Sequence, residues 1–389
     1  MAIKKEEVEM KNTTTTPQGD STPSVLYMAM ELSSKKWLLG FGKGDLKFRQ
    51  KSVEAGDLEG VMEEIEKTKK KFGLPLDSKV VSCYEAGRDG FWIHRRLLEL
   101  GVDNKVVDSS SIEVNRRYRR AKTDRLDLRK LLSMLVRYAQ GEPDVWSVVR
   151  APSVEWEDAR RLHRERGRLL KERTGHSNRI HSILITHGIR LKPRDKNFLS
   201  ELDRVHQNGA LPSGALRDVR REYDRWELVC RQVAEVQSEQ KEQLAEKATP
   251  ALEQISRLMN LKGVGPQSAW VLVMEFFGWR EFGNRKELAS LAGLVSSPYN
   301  SGEAARDQGI SKSGNPRVRA IMVELAWSWS RYQPGSKHSK WFLTRFGGGS
   351  SRMRRVGIVA LARKLLIDLW RYADKGIIPE GARMKSIYC

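Results

Sequence analysis

The sequence is poor in cysteine and contains no long apolar segment. Its three cysteines, Cys83, Cys230 and Cys389, are too widely spaced to form a CxxC pair, which excludes a disulfide scaffold and a zinc ribbon. No apolar run approaches the roughly 20 residues needed to cross a bilayer, so an integral membrane protein is also excluded. Residues 1–23 are charged, threonine-rich and without an apolar signal-peptide core. We therefore expect a disordered leader and a location in a reducing cytoplasm.

Acidic residues are also in deficit. Lys and Arg number 70 against 49 Asp and Glu, which gives the 389-residue chain a formal charge of +21. Such an excess of positive charge favours phosphate-rich partners, although composition alone does not distinguish DNA, RNA and an acidic membrane surface. The hydrophobic content of 39% is ordinary, and the length predicts two or three domains, each with its own core.

Residues 24–150 predict an α/β domain. Three short apolar segments separated by turn residues indicate consecutive strands, and two further strands alternate with helices. The predicted elements are strands at 25–31, 36–41, 46–49, 79–84 and 105–108 and helices at about 57–71 and 91–100. The order βββαβαβ, followed by another helix, is that of the ribonuclease H-like fold.

Residues 151–249 predict a helical linker. One helix is expected over 152–187 and a second over about 214–244. The second has a heptad pattern of apolar residues, which indicates either an antiparallel helical hairpin or a coiled-coil contact between subunits; an intramolecular spacer is the plainer alternative. The heptad positions are Leu216, Val219, Tyr223, Trp226, Cys230, Val233, Gln237, Gln240 and Leu244.

The first linker helix is strongly basic. Between Arg160 and Arg179 it carries eight basic and two acidic residues, so we expect it to contact a nucleic-acid backbone. The residues chosen for this contact are Arg164, Arg166 and Arg168. The helix also contains histidines spaced five and six apart, which does not place them on one face; they are interpreted as surface or nucleic-acid contacts and not as metal ligands. These histidines are His176, His181 and His187.

Residues 250–389 predict a helical domain interrupted by glycine. Gly263 and Gly265 lie in a segment that resembles a helix-hairpin-helix element, whose turn can bind a DNA phosphate through backbone N–H groups. A plain turn between two helices is an equally good interpretation. Further along, Ser301 follows a Pro-Tyr-Asn sequence interpreted as a turn. A serine beside a glycine in a turn is usually structural, and the residue alone does not predict a nucleophile.

A basic helix is predicted from Asn315, and another over 353–373. The first turn of the former presents Arg317 and Arg319, and Lys312 lies shortly before it. These three cations are predicted to contact DNA.

Four acidic residues occur where an α/β sheet collects its ligands. Glu31 ends the first predicted strand, Glu85 ends the fourth, and Asp124 and Asp127 lie three residues apart at the start of a helix. Their oxygens are the hard ligands that suit Mg²⁺, and paired metal ions can support phosphoryl transfer. Any one of these acids can be a solvated group, and Asp124 can be a helix cap. The four together predict a metal site.

Basic residues surround the Asp124/Asp127 pair. Lys122 and Arg125 are the nearest. They are predicted to hold a phosphate backbone close to the acids.

Seven short motifs, taken in order, resemble one known family. The motifs occupy residues 30–35, 84–87, 122–127, 263–266, 291–294, 300–302 and 309–315. Together they are similar to the DEDD transposases of the one-ten and eleven-eleven insertion-sequence group. The similarity covers nearly all of the chain after residue 23.

The resemblance implies a domain organisation and an active site. The domains would be RuvC-like (24–150), coiled-coil linker (151–249) and C-terminal transposase (250–389). By position, Glu31, Glu85, Asp124 and Asp127 match the family's Mg²⁺-binding tetrad, and Ser301 matches its nucleophile. The serine would attack a DNA phosphate and form a phosphoserine link. Ser297 and Ser311 are nearby competitors for this role.

The resemblance also implies partners. The family's active site joins the RuvC-like domain of one subunit to the serine domain of another, in a tetramer that is a dimer of dimers. A structured noncoding RNA, the bridge RNA, pairs with donor and target DNA. Base pairing would then read the sequence while the protein holds the backbones.

One residue departs from the family pattern. The first tetrad position is normally Asp, and this chain has Glu31. Glutamate keeps the charge but adds a methylene, while Mg²⁺ requires tight octahedral geometry. Glu31 is thus an accommodated ligand, part of a weakened site, or a mark of an inactive copy; intact motifs elsewhere favour activity.

Three functions compete with RNA-guided transposition. A site-specific DNA invertase would use similar chemistry, and a junction-resolving nuclease would need the tetrad but no serine. A catalytically dead protein would keep only nucleic-acid binding.

Overall fold

A computed structural model of the chain describes residues 24–45, 47–112, 124–301 and 304–385; at 124, 297–301 and 304–308 it describes the backbone alone. The predicted leader, 1–23, and Lys122 lie outside the described residues. The chain forms two compact units, Met1–Ala151 and Pro152–Cys389. A further domain boundary at 249/250 stays a prediction.

The first unit contains a five-stranded mixed sheet with the order β3-β2-β1-β4-β5. β1 pairs in parallel with β4, and β4 with β5, whereas β2 runs antiparallel to both β1 and β3. The strands are β1 (Val25–Leu32), β2 (Lys36–Gly42), β3 (Arg49–Glu54), β4 (Lys79–Glu85) and β5 (Asp103–Val107). This arrangement confirms a mixed α/β N-terminal region.

Three helices cover the two faces of this sheet. They are α1 (Leu58–Phe72), α2 (Trp92–Glu99) and α3 (Asp124–Ala139). Because side chains alternate along a strand, the even residues Met28 and Met30 of β1 pack in one core with α1 and α2. The odd residues Tyr27 and Ala29 pack in the other core with α3.

The third strand lies further along the chain than predicted. It was predicted over 46–49, but it begins at Arg49 and ends at Glu54. Its sequence is polar because β3 is the edge strand, and most of its side chains are partly or fully exposed. A strand without a buried face has no alternating apolar pattern, which is why the pattern did not indicate it.

The second unit is mostly helical, which confirms the predicted helical character of this region. Its helices are α4 (Val154–Ala159), α5 (Arg161–Ile185), α6 (Phe198–Gln207), α7 (Ser213–Glu246), α8 (Pro250–Met259), α9 (Pro266–Leu272), α10 (Arg285–Leu291), α11 (Pro316–Tyr332), α12 (Lys337–Phe346) and α13 (Ser351–Lys375). The single helix predicted over 152–187 is therefore two helices, separated at the buried residue Arg160. In the described part of the chain, no helix is both long and apolar enough to cross a membrane.

Helices α5 and α7 pack side by side as an antiparallel hairpin. His176 of α5 contacts Glu222 of α7, while Leu169, earlier in α5, packs with Val233, later in α7. Of the two arrangements considered, the hairpin is present; a coiled-coil contact between subunits stays a prediction. The buried seam of α7 is Val219, Val229, Val233, Val236 and Gln240, so the predicted seam residues Cys230 and Gln237 lie beside it. A straight helix drifts relative to a heptad repeat, which accounts for the displacement.

A β-hairpin interrupts the helices of the second unit and was not predicted. Its strands are β6 (Ser296–Ser301) and β7 (Ala304–Ile310). The Pro-Tyr-Asn sequence at 298–300, interpreted as a turn, lies within β6. The chain reverses after Ser301, and this residue pairs with Ala304 at the end of the hairpin.

Candidate active site

Two of the four predicted acids lie next to each other at the carboxyl edge of the sheet. Met30 of β1 is in register with Tyr84 of the parallel strand β4, so Glu31 and Glu85 follow at equivalent positions. Both have odd numbers and therefore lie on the α3 face of the sheet. Glu31 is half-buried and Glu85 is exposed. This is the edge at which open α/β sheets bind ligands.

Helix α3 brings its first residues to the same edge. Leu128 fits against Gly40, where an added Cβ would lie 2.8 Å from the Leu128 Cγ, and one turn later Leu132 fits against Gly42. Gly40 pairs with Ala29 of β1 and Gly42 with Tyr27, so α3 runs antiparallel to β1. Its N-terminal turn, which contains Asp124 and Asp127, consequently lies towards the carboxyl end of β1.

The donor chemistry of this edge fits a divalent hard cation. All four predicted ligands are carboxylates, which Mg²⁺ prefers. Among the described residues, no group of three or more His, Cys, Asp or Glu side chains is placed to hold a metal ion. These side chains alone therefore do not form a complete metal site. The Asp124 side chain lies outside the described set. A tetrad therefore stays a prediction, supported by the placement of the strands and of α3.

The cations predicted beside this edge have different surroundings. Arg125 is exposed in the first turn of α3, and Lys122 lies outside the described residues. Arg129, one turn further, stacks over the Phe48 ring at 4.6 Å. Arg125 thus remains accessible to a backbone phosphate, whereas Arg129 contributes to packing.

The second half of the predicted site is the β6–β7 hairpin, whose first strand ends at Ser301. At its base, the Ser311 N–H donates to the Val295 carbonyl (2.8 Å) and the Asn315 N–H donates to the Leu291 carbonyl (2.8 Å). The Asn315 side chain also caps α11 by accepting from the N–H groups of Arg317 and Val318. The base of the hairpin is therefore fastened to α10 and α11.

Two glycines allow the chain to approach itself at this base. Gly293 and Gly314 both have positive φ, at +67° and +86°. A Cβ at Gly293 would overlap the Ser313 carbonyl oxygen, and one at Gly314 would overlap the Leu291 carbonyl oxygen. Both segments belong to the sequence motifs at 291–294 and 309–315, whose glycines are explained by this backbone contact.

Substitution of Gly314 by alanine is expected to lower the free energy of unfolding by about 2–4 kcal/mol. The left-handed backbone costs about 1–2 kcal/mol for an L-residue, and displacing the Leu291 carbonyl adds to it. The matched control is Gly376→Ala, because Gly376 has φ +70° with nothing within 4 Å of its Cβ position. Urea unfolding followed by tryptophan fluorescence measures both. Equal losses for the two variants would contradict the proposed backbone contact.

A buried carboxylate, Glu275, lies beneath the same base. It is 1% exposed and belongs to a π-helical turn, Val273–Phe277, a feature often found at functional sites. Arg164 of α5 binds it bidentately, with Nε donating to Oε1 and Nη2 to Oε2, both at 2.7 Å. His163 Nε2 lies 2.9 Å from Oε1, and Asn315 Nδ2 donates to Oε2 at 3.3 Å. Glu275 thereby joins α5 to the start of α11.

The environment of Glu275 keeps it ionised. Burial by itself would raise the pKa of this carboxyl, but the hydrogen bonds from His163 and Arg164 outweigh burial and hold the pKa well below its usual range. Sequence reasoning missed this residue. The available signal was one acid within an apolar segment, Ala269 to Phe277, where an unpaired charge would be too costly to bury.

The three arginines predicted as nucleic-acid contacts on α5 differ in their surroundings. Arg164 is bound to Glu275, and Arg166 lies 2.9 Å from the Gln237 amide oxygen on α7 in the amide orientation that satisfies both groups. Only Arg168 is exposed. Nucleic-acid binding by them stays a prediction, but replacing all three together would also remove the Arg164–Glu275 ion pair.

The predicted glycine hairpin is the turn between α8 and α9. Gly263 has φ +89°, and its carbonyl accepts a hydrogen bond from Ser328 Oγ of α11 at 2.7 Å. Tyr332 Cβ would lie 3.2 Å from a Cβ at Gly263, so this side of the turn is packed against α11. Gly265, the N-cap of α9, has open space around its Cβ position.

The cations near Asn315 are also partly engaged. Arg317 Nε lies 3.9 Å from Glu275 Oε1, and Arg319 Nη1 donates to the Ser313 carbonyl at 3.3 Å. Lys312 is exposed, with φ +57°. Lys312 and Arg317 are therefore both accessible to DNA.

Comparison with known proteins identifies the family. The chain is similar to the putative transposase y4rJ of Sinorhizobium fredii, with 39% identity over 382 residues that cover 93% of this chain and 95% of that protein. The chain belongs to the IS116/IS110/IS902 transposase family. The family model itself matches residues 255–340, which include Glu275, the β6–β7 hairpin and Asn315.

Two more distant relatives agree with this family. The transposase for insertion sequence element IS1328 of Yersinia enterocolitica is 27% identical over 56% of this chain and 63% of that protein. The transposase for insertion sequence element IS1111A of Coxiella burnetii is 25% identical over 71% of this chain and 73% of that protein. The predicted resemblance to the one-ten and eleven-eleven transposases is confirmed at the level of the family.

Proposed function

We propose that this transposase is an RNA-guided DNA recombinase that inserts and excises an insertion sequence. Family membership supports strand transfer on DNA. The observation that carries the finer proposal is the common edge of the sheet, where Glu31, Glu85 and the first turn of α3 converge on one face. The mixed sheet of the N-terminal unit, with the order β3-β2-β1-β4-β5, supports the RuvC-like assignment that this proposal makes.

In this proposal Glu31, Glu85, Asp124 and Asp127 would hold Mg²⁺. When bound, the ion would polarise a scissile DNA phosphate. The Ser301 hydroxyl gives up its proton and attacks phosphorus, the bond from phosphorus to the leaving sugar oxygen breaks, and that oxygen takes up a proton and leaves as a DNA hydroxyl. The phosphoserine link conserves the phosphodiester energy until a second DNA hydroxyl displaces the serine.

Guidance by RNA accounts for the charge of the chain. A charge of +21 supports extensive contact with phosphate backbones, which carries no sequence information by itself. Pairing of a structured noncoding RNA with donor and target DNA would supply that information. A tetramer, built as a dimer of dimers, would combine the sheet edge of one subunit with Ser301 of another.

Glu85→Gln is expected to reduce formation of the covalent protein–DNA adduct by at least about 100-fold, because it removes one ligand charge from the metal site. The protein is co-expressed with the DNA that flanks its gene, bound RNA is sequenced, and the adduct is measured with Mg²⁺. Glu99→Gln is the matched control, since Glu99 is an exposed glutamate of the same unit, paired with Arg96.

Several results would contradict this proposal. Absence of both a discrete RNA and an adduct in the unsubstituted protein would exclude RNA-guided recombination. An unchanged adduct in Glu85→Gln would exclude the metal site at this edge.

Adduct formation that survives Glu31→Asp but not Glu31→Ala would identify Glu31 as an accommodated ligand. An inactive copy would instead form no adduct in any variant.

A further inference from the structure

An open cleft lies between α5, α7 and the loop that follows α5. Its volume is about 540 Å³, within the range typical of sites for small ligands. The loop, residues 187–197, carries four basic residues and one acidic residue. The side chains that define the chemistry of the cleft are Arg173, Ser177, Asn178, Lys192, Arg194 and Trp226.

The cations of this cleft are not neutralised by protein carboxylates. Among the residues that the structure describes, no Asp or Glu oxygen lies within 4.0 Å of Arg173, Lys192 or Arg194. Two other arginines of α5 are paired with carboxylates, Arg164 with Glu275 and Arg179 with Glu222. An uncompensated positive concavity concentrates anions. The Ser177 hydroxyl and the Asn178 amide, which line the cleft, suit phosphate oxygens or base edges.

The aromatic wall of the cleft is the last of three neighbouring rings. The rings of Phe198 and Tyr223 stack at 4.9 Å between centroids, and Tyr223 lies 5.6 Å from Trp226. Phe198 is fully buried in the core of the helical hairpin, whereas Trp226 is half-buried and lines the cleft. Because Trp226 already packs against Tyr223, less side-chain freedom is left to lose when a planar ligand binds on it.

We propose that this cleft binds an unpaired nucleotide of a single-stranded nucleic acid. Its base stacks on Trp226, and its flanking phosphates contact Arg173, Lys192 and Arg194. Stacking on an aromatic ring beside a cationic groove is the general mode of single-strand binding. A duplex cannot use Trp226, because its bases are already stacked on one another. The inference rests on the proposed function only in that the chain must encounter nucleic acid.

Trp226→Ala is expected to weaken binding of a single-stranded oligonucleotide by at least about 5-fold, the lower bound for loss of one stacked base. Fluorescence anisotropy of the full chain with labelled single-stranded RNA, single-stranded DNA and duplex DNA measures the effect. Duplex binding is expected to stay unchanged, and Trp226→Phe is expected to recover most of the affinity. Thermal unfolding of each variant checks that the hairpin remains folded.

The exposed cations provide a second test that leaves the aromatic stack intact. Lys192→Ala/Arg194→Ala is expected to reduce the slope of log affinity against log salt by about 1.4 for a single strand, at about 0.7 per phosphate contact. Arg231→Ala/Lys241→Ala is the matched control, with the same charge change at exposed positions of α7 outside the cleft. Its salt slope is expected to change less.

The outcomes separate this inference from the proposed function. A loss confined to RNA, or to DNA, supports the inference and identifies the source of the strand. Unchanged single-strand affinity in Trp226→Ala overturns it, as does an equal loss of duplex binding. Because the readout is binding, an absence of strand transfer would contradict the proposed function without affecting this result.

Discussion

Replacement of Ser301 by alanine is expected to abolish the covalent protein–DNA adduct and to lower strand transfer by at least about 10⁴-fold, because no other group can take the place of a missing nucleophile in the covalent step. Ser301 lies at the end of β6, where the hairpin reverses direction. Removal of one hydroxyl at the end of a two-stranded hairpin is expected to leave stability within about 0.5 kcal/mol. The measurement is a denaturing gel of the protein incubated with its DNA and Mg²⁺.

The neighbouring serines supply the controls for this experiment. Ser297→Ala changes a residue of the same strand. Ser311→Ala changes a residue just beyond β7, where Ser311 Oγ accepts a hydrogen bond from Ser313 Oγ. Both variants are expected to form the adduct. An adduct that persists in Ser301→Ala but is lost in one control would transfer the nucleophile to that residue. Strand cleavage without any adduct in the unsubstituted protein would instead favour a nuclease that uses the carboxylates alone.

Replacement of Glu275 by alanine is expected to lower the free energy of unfolding by about 3 kcal/mol. Removal of one partner of a buried ion pair typically costs about 3–5 kcal/mol, since the remaining charge loses its compensation. The lower end applies because the Arg164 side chain is 38% exposed and can turn towards water. The variant also removes the acceptor of Asn315, which fastens the base of the β6–β7 hairpin.

Tryptophan fluorescence during urea unfolding measures this loss, because eight of the 11 tryptophans belong to the second unit. Glu253→Ala, at an exposed position of α8, is the control and is expected to change stability by less than about 0.5 kcal/mol. In a double-mutant cycle with Arg164→Ala, we expect a coupling energy of about 0.5–3 kcal/mol. Additive effects would show that Glu275 and Arg164 do not act as a pair.

The same ion pair has a defined pH dependence. Although burial opposes ionisation, the hydrogen bonds from His163 and Arg164 lower the pKa of Glu275 in the folded protein. An unfolded glutamate has a pKa of about 4.3. The contribution of Glu275 is therefore complete above the unfolded pKa and is lost as pH falls below it. The destabilisation by Glu275→Ala is expected to shrink progressively below about pH 4.

Glu222 provides a comparison on the α5–α7 hairpin. Burial raises its pKa, but hydrogen bonds from His176 and Arg179 outweigh burial and lower it to about 2. It lies nearer the surface than Glu275, with a side chain that is 14% exposed. Acid is thus expected to weaken two links made by α5, one to α7 and one to the core below the β6–β7 hairpin.

Much of the candidate site was predictable from local sequence. Strands β1 and β4 are short apolar runs with an acid at or next to their last residue, and their order determines which carboxyl ends adjoin. The prediction placed the edge strand β3 too early in the chain, because an edge strand lacks a buried face. The β6–β7 hairpin escaped prediction because its residues, such as those at 304–309, show no apolar alternation.

The sequence by itself determined the charge of the chain, the α/β and helical regions, the ordered motifs of the family and the positions of its acids and serine. These depend on residue type and on contacts between near neighbours. Only the tertiary structure decided which partners the described cations have. Arg164 is bound to Glu275, 111 residues away, whereas Lys192 and Arg194 line a cleft beside Trp226. The residue type alone gives an arginine its charge. The partner of that charge depends on how distant helices pack, which no local pattern specifies.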